Sequence, residues 1–512
     1  MPLTPNAVNY VDRDFYTWRT RVFTEIRSVY PEWTDDQVAN FGNILVELVC
    51  FGGDMLDYYL NNQARETRIT TAELRENMIA LVSVFGYAPR GQTAARTIQT
   101  FTLSAPAAAA VVIPAETPIY TREITSPISY RLLADVVIPA GQTTAEGVAE
   151  NSVRQEIVAA PGGLPGFTVT LPAIPYLAGT LSVSDVDGAW EVRDSLLGSS
   201  PIDRHCALTV DENERATVTF GDALFGAVPQ NQLTIVYRTG GGKAGRVEAG
   251  ALVVLKQSFT DAFGNPVQVA TTNAERSTPA EDRESVERIR YNAPRMVRVQ
   301  NRAVSREDYE ISAEQVAGVA RALHVTRNEI PAIEENRGVL YIVPSDGGEA
   351  PEALLDQVRA RFAPDGPTPS TNTYRLEVRS ATYLEIDIEA RVHFTPGTIS
   401  QRKSAVASSA RAALDAYMAI EVDDGSGGTV PNPLVDFGYY YQGVNGEALD
   451  SFAWSDLFNV IRDTPGISRV SAGPNGFLLN GVRDDVPISP IRFPRPGSLR
   501  IIDADTGEQF DL

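Results

Sequence analysis

The chain has 512 residues, 43% hydrophobic and 21% charged, enough for about three or four domains and too globular in composition for extended disorder. Its net charge of −21 and pI near 4.7 exclude the basic stripe that nucleic-acid binding requires, and would repel anionic lipid. The expected partners therefore include no nucleic acid and no membrane; the charge itself keeps an abundant protein soluble.

The first ninety or so residues read as helical. Thr34 and Gln37 form a capping-box pattern, and Trp33 is placed to staple onto Val38. Phe41, Ile44, Leu45, Leu48, Val49, Met55, Leu56, Tyr59 and Leu60 then recur every three or four residues, with Asn43, Glu47, Asp57 and Asn61 on the opposite face. Thr70 and Glu73 open a second helix through Met78, Ile79, Val82 and Phe85, stopped by Gly86 and Pro89. Such helices pack as a hairpin, either as ordinary core or as a bundle shared with a partner chain. Glu47 interrupts the longest apolar run, and residues 1–15 lack a secretory pattern, so synthesis in the cytosol is expected.

From about residue 96 short β-favouring runs appear at 97–103, Val111–Ile113, 167–171 and 233–237, separated by proline and glycine. The stretch from about 122 to 215 reads as a β insertion, with seams at 105–110 and 159–165. Helix returns after about 280; Ser305 caps a helix through Tyr309, Ile311 and Val316 that ends at Gly318, and a strand follows at 320–326. Leu384, Ile386, Ile388, Ala390, Val392 and Phe394 alternate with polar residues, a sheet with one wet face. A helix at 401–418, a glycine-rich insertion at 423–428, a helix at Trp454–Arg462 and a strand at Ile467–Val470 complete a small α+β sandwich. The remainder, from Gly473, reads as loop and short strand. The expected fold is thus multidomain α+β: a helical region (1–95), a β-rich domain with its insertion (96–270), a middle α+β domain (271–372), a C-terminal α+β domain (373–475) and a tail (476–512).

Chemistry is harder to find. Gly240-x-Gly242-x-x-Gly245 matches the dinucleotide fingerprint formally, but 246–255 reads as strand where that site needs a helix start. Ala244 stands where a phosphate loop needs Ser or Thr. His205, His324 and His393 are far apart, and Cys206 beside His205 has no companions to complete a zinc site; Cys50 reads as core. Asp185-x-Asp187-Gly188 is loosely calcium-like, but Leu196 occupies the place of the closing glutamate. The acid pairs at Asp35–Asp36, Asp423–Asp424 and Asp484–Asp485 read as solvated loops, although two distant carboxylates leave glycoside hydrolysis open. No catalytic, cofactor or metal residue is assigned. Only Lys243, Lys256 and Lys403 are lysines, an arginine bias that suits protein interfaces and equally suits a GC-rich genome.

Several segments form an ordered series, beginning with 41–48, Asp54-x-x-x-Tyr58-Tyr59 with Ala64 and Glu66, and Gly86-Tyr87-Ala88-Pro89 after Leu81. Next come Ile113-Pro114-Ala115-Glu116-Thr117, Phe220-Gly221-Asp222-Ala223 with Gly226 and Pro229, and Tyr237-Arg238-Thr239-Gly240-Gly241-Gly242 with Gly245 and Val247. Ala293-Pro294-Arg295, the run Arg302 to Glu310, and Ile461 with Gly466, Ile467 and Val470 complete the series. Taken together these segments resemble the baseplate J-like (baseplate wedge) proteins of contractile phage tails and related injection machines. Glu116 and Ala223 replace glycines of the pattern and Arg246 an asparagine, which puts local turn geometry in question.

The resemblance implies a virion-tail baseplate component assembled in the host cytoplasm. It implies pairing through helices and end domains, links between wedges in a ring around the hub, and rearrangement on sheath contraction. The implied partners are other wedge subunits, copies of the same chain, and sheath-initiator or hub proteins. It also implies that the glycine motifs serve folding. Candidate contacts are Leu48, Met55, Tyr59, Phe452, Trp454 and Phe458. A tail-associated hydrolase or sugar-binding module seated in the insertion is the alternative, as is the homologous wedge of a bacterial injection particle.

Overall fold

In the computed structural model, residues 10–512 are described except 12, 36, 38, 39, 124, 194, 301, 372, 398, 426 and 441–450. They form two compact units. The first takes in the described residues of Met1–Pro89, Ser285–Val297 and Asp424–Ser426; the second holds those of Arg90–Glu284, Arg298–Asp423 and Gly427–Leu512. The fold is multidomain α+β, with helices leading, a β-rich centre and an α+β end.

The first unit is built from α1 (Phe15–Val29), α2 (Phe41–Glu66), α3 (Arg75–Ser83) and α4 (Val286–Val299, within this unit as far as Val297). Asp14 caps α1 by accepting from the Thr17 amide. Helix α2 starts later than the Thr34–Gln37 pattern suggests, because Asn40 is its cap and accepts from Gly42 N at 2.9 Å. Val38, the expected staple partner of Trp33, lies outside the described residues. The Thr70–Glu73 box is also not the start of α3. There the Glu66 carboxylate accepts from the amides of Glu73 (3.0 Å) and Leu74 (3.3 Å) and from Asn77 Nδ2 (3.0 Å), satisfying first-turn donors from the previous helix. Helix pairing also differs from the expected α2–α3 hairpin. Met78 and Val82 of α3 pack with Ile289 and Ala293 of α4, Ala72 and Tyr87, and Arg290 of α4 donates to the carbonyls of Ile69 and Ala72.

The second unit contains four principal sheets. A six-stranded sheet runs in the order Leu252–Leu255, Pro118–Thr121, Ser129–Leu132, Thr144–Glu150, Arg96–Leu103, Val269–Asn273. A seven-stranded sheet uses only strands between Ser152 and Gly240, around Trp190, Phe220 and Tyr237. The separately laddered segment is therefore 152–240, later than the expected 122–215, because Ser129–Leu132 and Thr144–Glu150 pair into the first sheet.

The middle sheet, Val319–Val325, Arg337–Pro344 and Arg375–Ser380, is buried on both faces. Leu340 and Ile342 point to the side of α5 (Arg306–Glu314) and α6 (Glu352–Arg361), whereas Val339, Tyr341 and Val343 meet Val435, Phe437 and Phe493. Ser305 and Asp308 form the capping box of α5, as the sequence indicates.

The last sheet is centred on Thr382–Phe394 and covered by α7 (Ser400–Tyr417) and α8 (Trp454–Arg462). Its long neighbour is Arg492–Asp503, a parallel strand of 12 residues in the region expected to be loop and short strand. Pro494 and Pro496 are tolerated there because Gln509–Asp511, on the strand's other side, reaches only Arg500–Ile502. A register shift falls between Ile386 and Ile388, where the Asp387 carboxylate accepts from Ser498 N and Oγ, each at 2.7 Å.

Candidate interaction surface and the roles of the sequence motifs

Helix α2 turns its polar stripe to the rest of its unit. Asn43, Glu47, Cys50, Asp54, Asp57, Asn61 and Ala64 recur at alternating steps of four and three, and all are buried or half-buried. Asn43 is fully buried; it accepts from Trp33 Nε1 at 3.0 Å and donates to the carbonyls of Asp35 and Gln37. Glu47 pairs with Arg19 at 2.9 Å, Asp57 accepts from the Trp18 indole, and Asn61 accepts from Tyr10 N at 2.8 Å. These bonds orient α1 and the preceding loop on α2.

The apolar residues are consequently left outside. Leu48 is 65% exposed, Tyr59 60% and Met55 40%, and Phe41, Ile44, Val49 and Leu56 are exposed beside them. Val84 and Phe85, after α3, are exposed as well. An apolar surface of this extent on a single helix is unusual for a monomer and typical of an interaction site.

The other three candidate contacts lie in the C-terminal sheet unit. Phe452 is fully buried in its core, pairing with Val486, and is unavailable as an outward anchor. Trp454 and Phe458 are half-buried and stack on each other with ring centres 4.8 Å apart, both set edge-on to Phe477. The Trp454 indole also donates to the Phe477 carbonyl. These residues complete a core because α8 must cover the sheet.

The glycine-rich run forms a corner. The strand Leu233–Gly240 leads into a 3-10 turn at Lys243–Gly245, and strand resumes only at Leu252–Leu255, less than the full 246–255 expected. Gly241 has φ +83°, and a Cβ there would come within 2.6 Å of the Thr93 carbonyl. Its neighbours fasten the corner: Gly242 N donates to Thr93 O, and Gln92 Nε2 to Gly240 O. Arg246 donates to the Ala280 carbonyl, the Glu281 carboxylate and Ser345 Oγ. Lys243 reaches Thr429 Oγ1 at 2.8 Å and the Glu421 carboxylate at 3.6 Å. Every amide and cation described here is turned toward protein, an arrangement that binds strands together.

The two replaced glycines keep the glycine conformation. Glu116 has φ +63° and Ala223 φ +73°, a region that costs a side chain about 1 kcal/mol. Glu116 offsets this with an ion pair to Arg238, which also donates to Ser152 Oγ. Ala223 sits in a turn where Asp222 Oδ1 accepts from the amides of Leu224 and Phe225. In the last motif, Gly466 (φ +103°) ends the turn after α8; a Cβ there would lie 2.5 Å from Val406 of α7.

Asp185, Cys206 and the three histidines have structural partners or are buried. Asp185 accepts from Arg204 and Trp190 Nε1, so an arginine stands where the calcium-like pattern would place an ion. Desolvation pushes the buried Cys206 thiol up to about 12, far from a reactive thiolate. His205 lies between Ser199 and Glu191, and His393 between Asp505 and Ser471; His324 is buried against Tyr309. Among the described residues no group of three His, Cys, Asp or Glu side chains could hold a metal ion. No helix among them is long and apolar enough to cross a membrane. A cleft of about 780 Å³ among the described residues is lined by residues that include Lys243, Asp346, Tyr383, Glu385, Asp387, Asp415, Glu421 and Arg495. Its charges are largely spent on one another or on nearby polar groups: Arg495 with Glu385, Lys243 with Glu421, Asp387 with Ser498.

No family model matches the chain. Among curated proteins, a levansucrase of Fructilactobacillus sanfranciscensis is 32% identical over 98 residues, 17% of this chain and 11% of that protein. The chain thus spans about a tenth of the length of the curated relative it matches. Among solved structures, it is similar to a chain of the anti-feeding prophage baseplate at 14% identity and a TM-score of 0.34, covering 96% of this chain and 95% of that one. A chain of the type VI secretion TssK-TssF-TssG baseplate subcomplex is similar at 10% identity and a TM-score of 0.29, covering 64% and 95%.

Proposed function

We propose that the chain is a structural wedge component of the baseplate of a contractile tail or related injection machine. In this reading α2 is an assembly surface, and the chain performs no turnover. The observation that carries the reading is the reversed amphipathicity of α2, which folds onto its own unit through Asn43, Glu47, Asp57 and Asn61 and leaves Leu48, Met55 and Tyr59 uncovered. A helix arranged this way lacks its apolar partner until another chain supplies one. The series of resemblance motifs supports the same reading, because its residues serve as caps, corners and turn locks.

The partners are other wedge subunits, further copies of the chain, and hub or sheath-initiator proteins, joined in a ring that rearranges on contraction. Interfaces that hold such rings bury roughly 1,000–2,000 Å² or more around apolar and aromatic anchors. Tyr59→Asp should block wedge assembly with the neighbouring chains while leaving the isolated chain folded by circular dichroism. A variant that assembles normally removes α2 from the contact. Incubating the purified chain with cell walls and polysaccharides tests the absence of turnover: a structural protein releases no sugar, and any release dependent on this chain would overturn that part of the reading.

A further inference from the structure

The chain enters and leaves the seven-stranded sheet at one end. The outer strand Ser152–Ala159 runs antiparallel to Leu233–Gly240, with Ser152 opposite Gly240 and Ala159 opposite Leu233. The loops 160–167 and 221–232 therefore lie at the far end. Ser184 opposes Thr234, so the turn 185–188 joins them there. Glu191 N donates to the Arg204 carbonyl, and Cys206 opposes Phe220, which brings 200–204 to the same end.

Hydrogen bonds tie these four loops into one cluster. Gly166 N donates to the Gly221 carbonyl and Ala227 N to the Asp203 carbonyl. Arg204 donates to Asp185 and to the Gly188 carbonyl, and Asn231 Nδ2 to Asp187. Within the loops, Asp222 holds the amides of Leu224 and Phe225, and Asp203 accepts from Ser200 N. Surface turns ordinarily carry small or polar residues at their tips. Here Leu164, Val186, Ile202, Leu224 and Phe225 are exposed, Val186 by 83% and Ile202 by 85%. Apolar side chains grouped on interlocked turns mark a surface that another body covers.

The charge of the cluster is one-sided. Asp187 and Asp222 are exposed and Asp203 is half-buried beside the apolar tips. Arg204 supplies the cation of these loops and is taken by Asp185. We propose that this end of the 152–240 sheet is a second docking face, whose occupant is a different polypeptide with an apolar socket rimmed by arginine or lysine. A twofold contact with another copy would set like carboxylates against each other, and a lipid surface would meet carboxylates without a free cation. A cationic rim on another chain answers Asp187 and Asp222 while the aliphatic tips fill its socket, so that buried anchors hold the contact and rim charges steer it. The inference rests on the reading of the chain as an assembly component, but this face and α2 belong to different compact units.

Hydroxyl-radical footprinting of the full chain, alone and assembled with the chains made alongside it, tests the face. Leu164, Ile202, Leu224 and Phe225 should be labelled in the isolated chain and lose most of that labelling in the assembly. Pairwise binding to the protecting chain should weaken about ten- to a hundredfold in Ile202→Asp. It should weaken about three- to tenfold in Asp187→Lys, and similarly on raising salt. Neither substitution should move the thermal midpoint of the isolated chain, since both side chains lie outside the core of the sheet. Protection of Leu48 and Tyr59 with the loop tips still labelled would overturn this face alone; labelling unchanged at both places would overturn the assembly reading with it. Protection that appears on concentrating the chain by itself, or on adding phosphatidylcholine vesicles with or without phosphatidylglycerol, would overturn the named occupant. Binding indifferent to both Asp187→Lys and salt would overturn the cationic rim.

Discussion

Helices α2 and α8 carry the same kind of sequence signal and use it in opposite ways. In α8, Leu457 and Ile461 are buried while Trp454 and Phe458 close over Phe477, so the apolar side is spent inside the chain. In α2 the side turned inward is Asn43, Glu47, Asp57 and Asn61, each with a hydrogen-bond or ion-pair partner, and the apolar side faces out. Periodicity shows that a helix has two faces. The side on which the chain places its own partners decides which face is core, and that depends on residues such as Trp18, Arg19 and Trp33, remote from the stripe itself.

Substitutions can break this contrast. Phe452→Ala removes a fully buried ring and should cost about 3–5 kcal/mol in urea unfolding, whereas Tyr59→Asp in the isolated chain should change stability by no more than about 0.5 kcal/mol. Equal losses at the two sites would erase the distinction. In assembly the order reverses: Leu48→Asp or Tyr59→Asp should weaken association with a partner chain by about 2–4 kcal/mol, read by titration calorimetry against that chain.

The Lys403–Asp503 pair sharpens the contrast from the C-terminal side. Desolvation would raise the Asp503 carboxyl, but its bonds to Lys403 (2.6 Å), the Asp505 amide and Thr506 outweigh burial and hold the pKa down at about 2. A depressed carboxyl stabilises the fold above its unfolded pKa, and that contribution disappears as pH falls from about 4 through about 2. Lys403→Met should therefore move acid unfolding to higher pH; an unmoved midpoint would deny the pair its role. The smallest expected effect is at the left-handed turn: Ala223→Gly should stabilise the chain by roughly 0.5–1 kcal/mol in thermal unfolding.

Much of the architecture was legible where one residue performs one local task. The Ser305 cap, the alternation from Leu384 to Phe394 and the helix Trp454–Arg462 all declare themselves in sequence. The turn between strands at Gly240-x-Gly242-x-x-Gly245 was legible too, although the second strand begins only at Leu252. The misses have physical causes. Glu66 caps α3 from the preceding helix, so a search for Ser or Thr beside the helix start passes over it. Arg492–Asp503 hides because prolines are poor strand formers, yet here they lie where one side of the strand is unpaired. Phe452 and Tyr59 are both aromatic candidates in sequence, and only the three-dimensional partners separate the buried ring from the exposed one.

The most direct test is electron microscopy of the protein assembled with the chains made alongside it. The account predicts helices of another chain laid along α2, with Leu48, Met55 and Tyr59 removed from solvent between them. An assembled particle in which that face of α2 still borders water would contradict it.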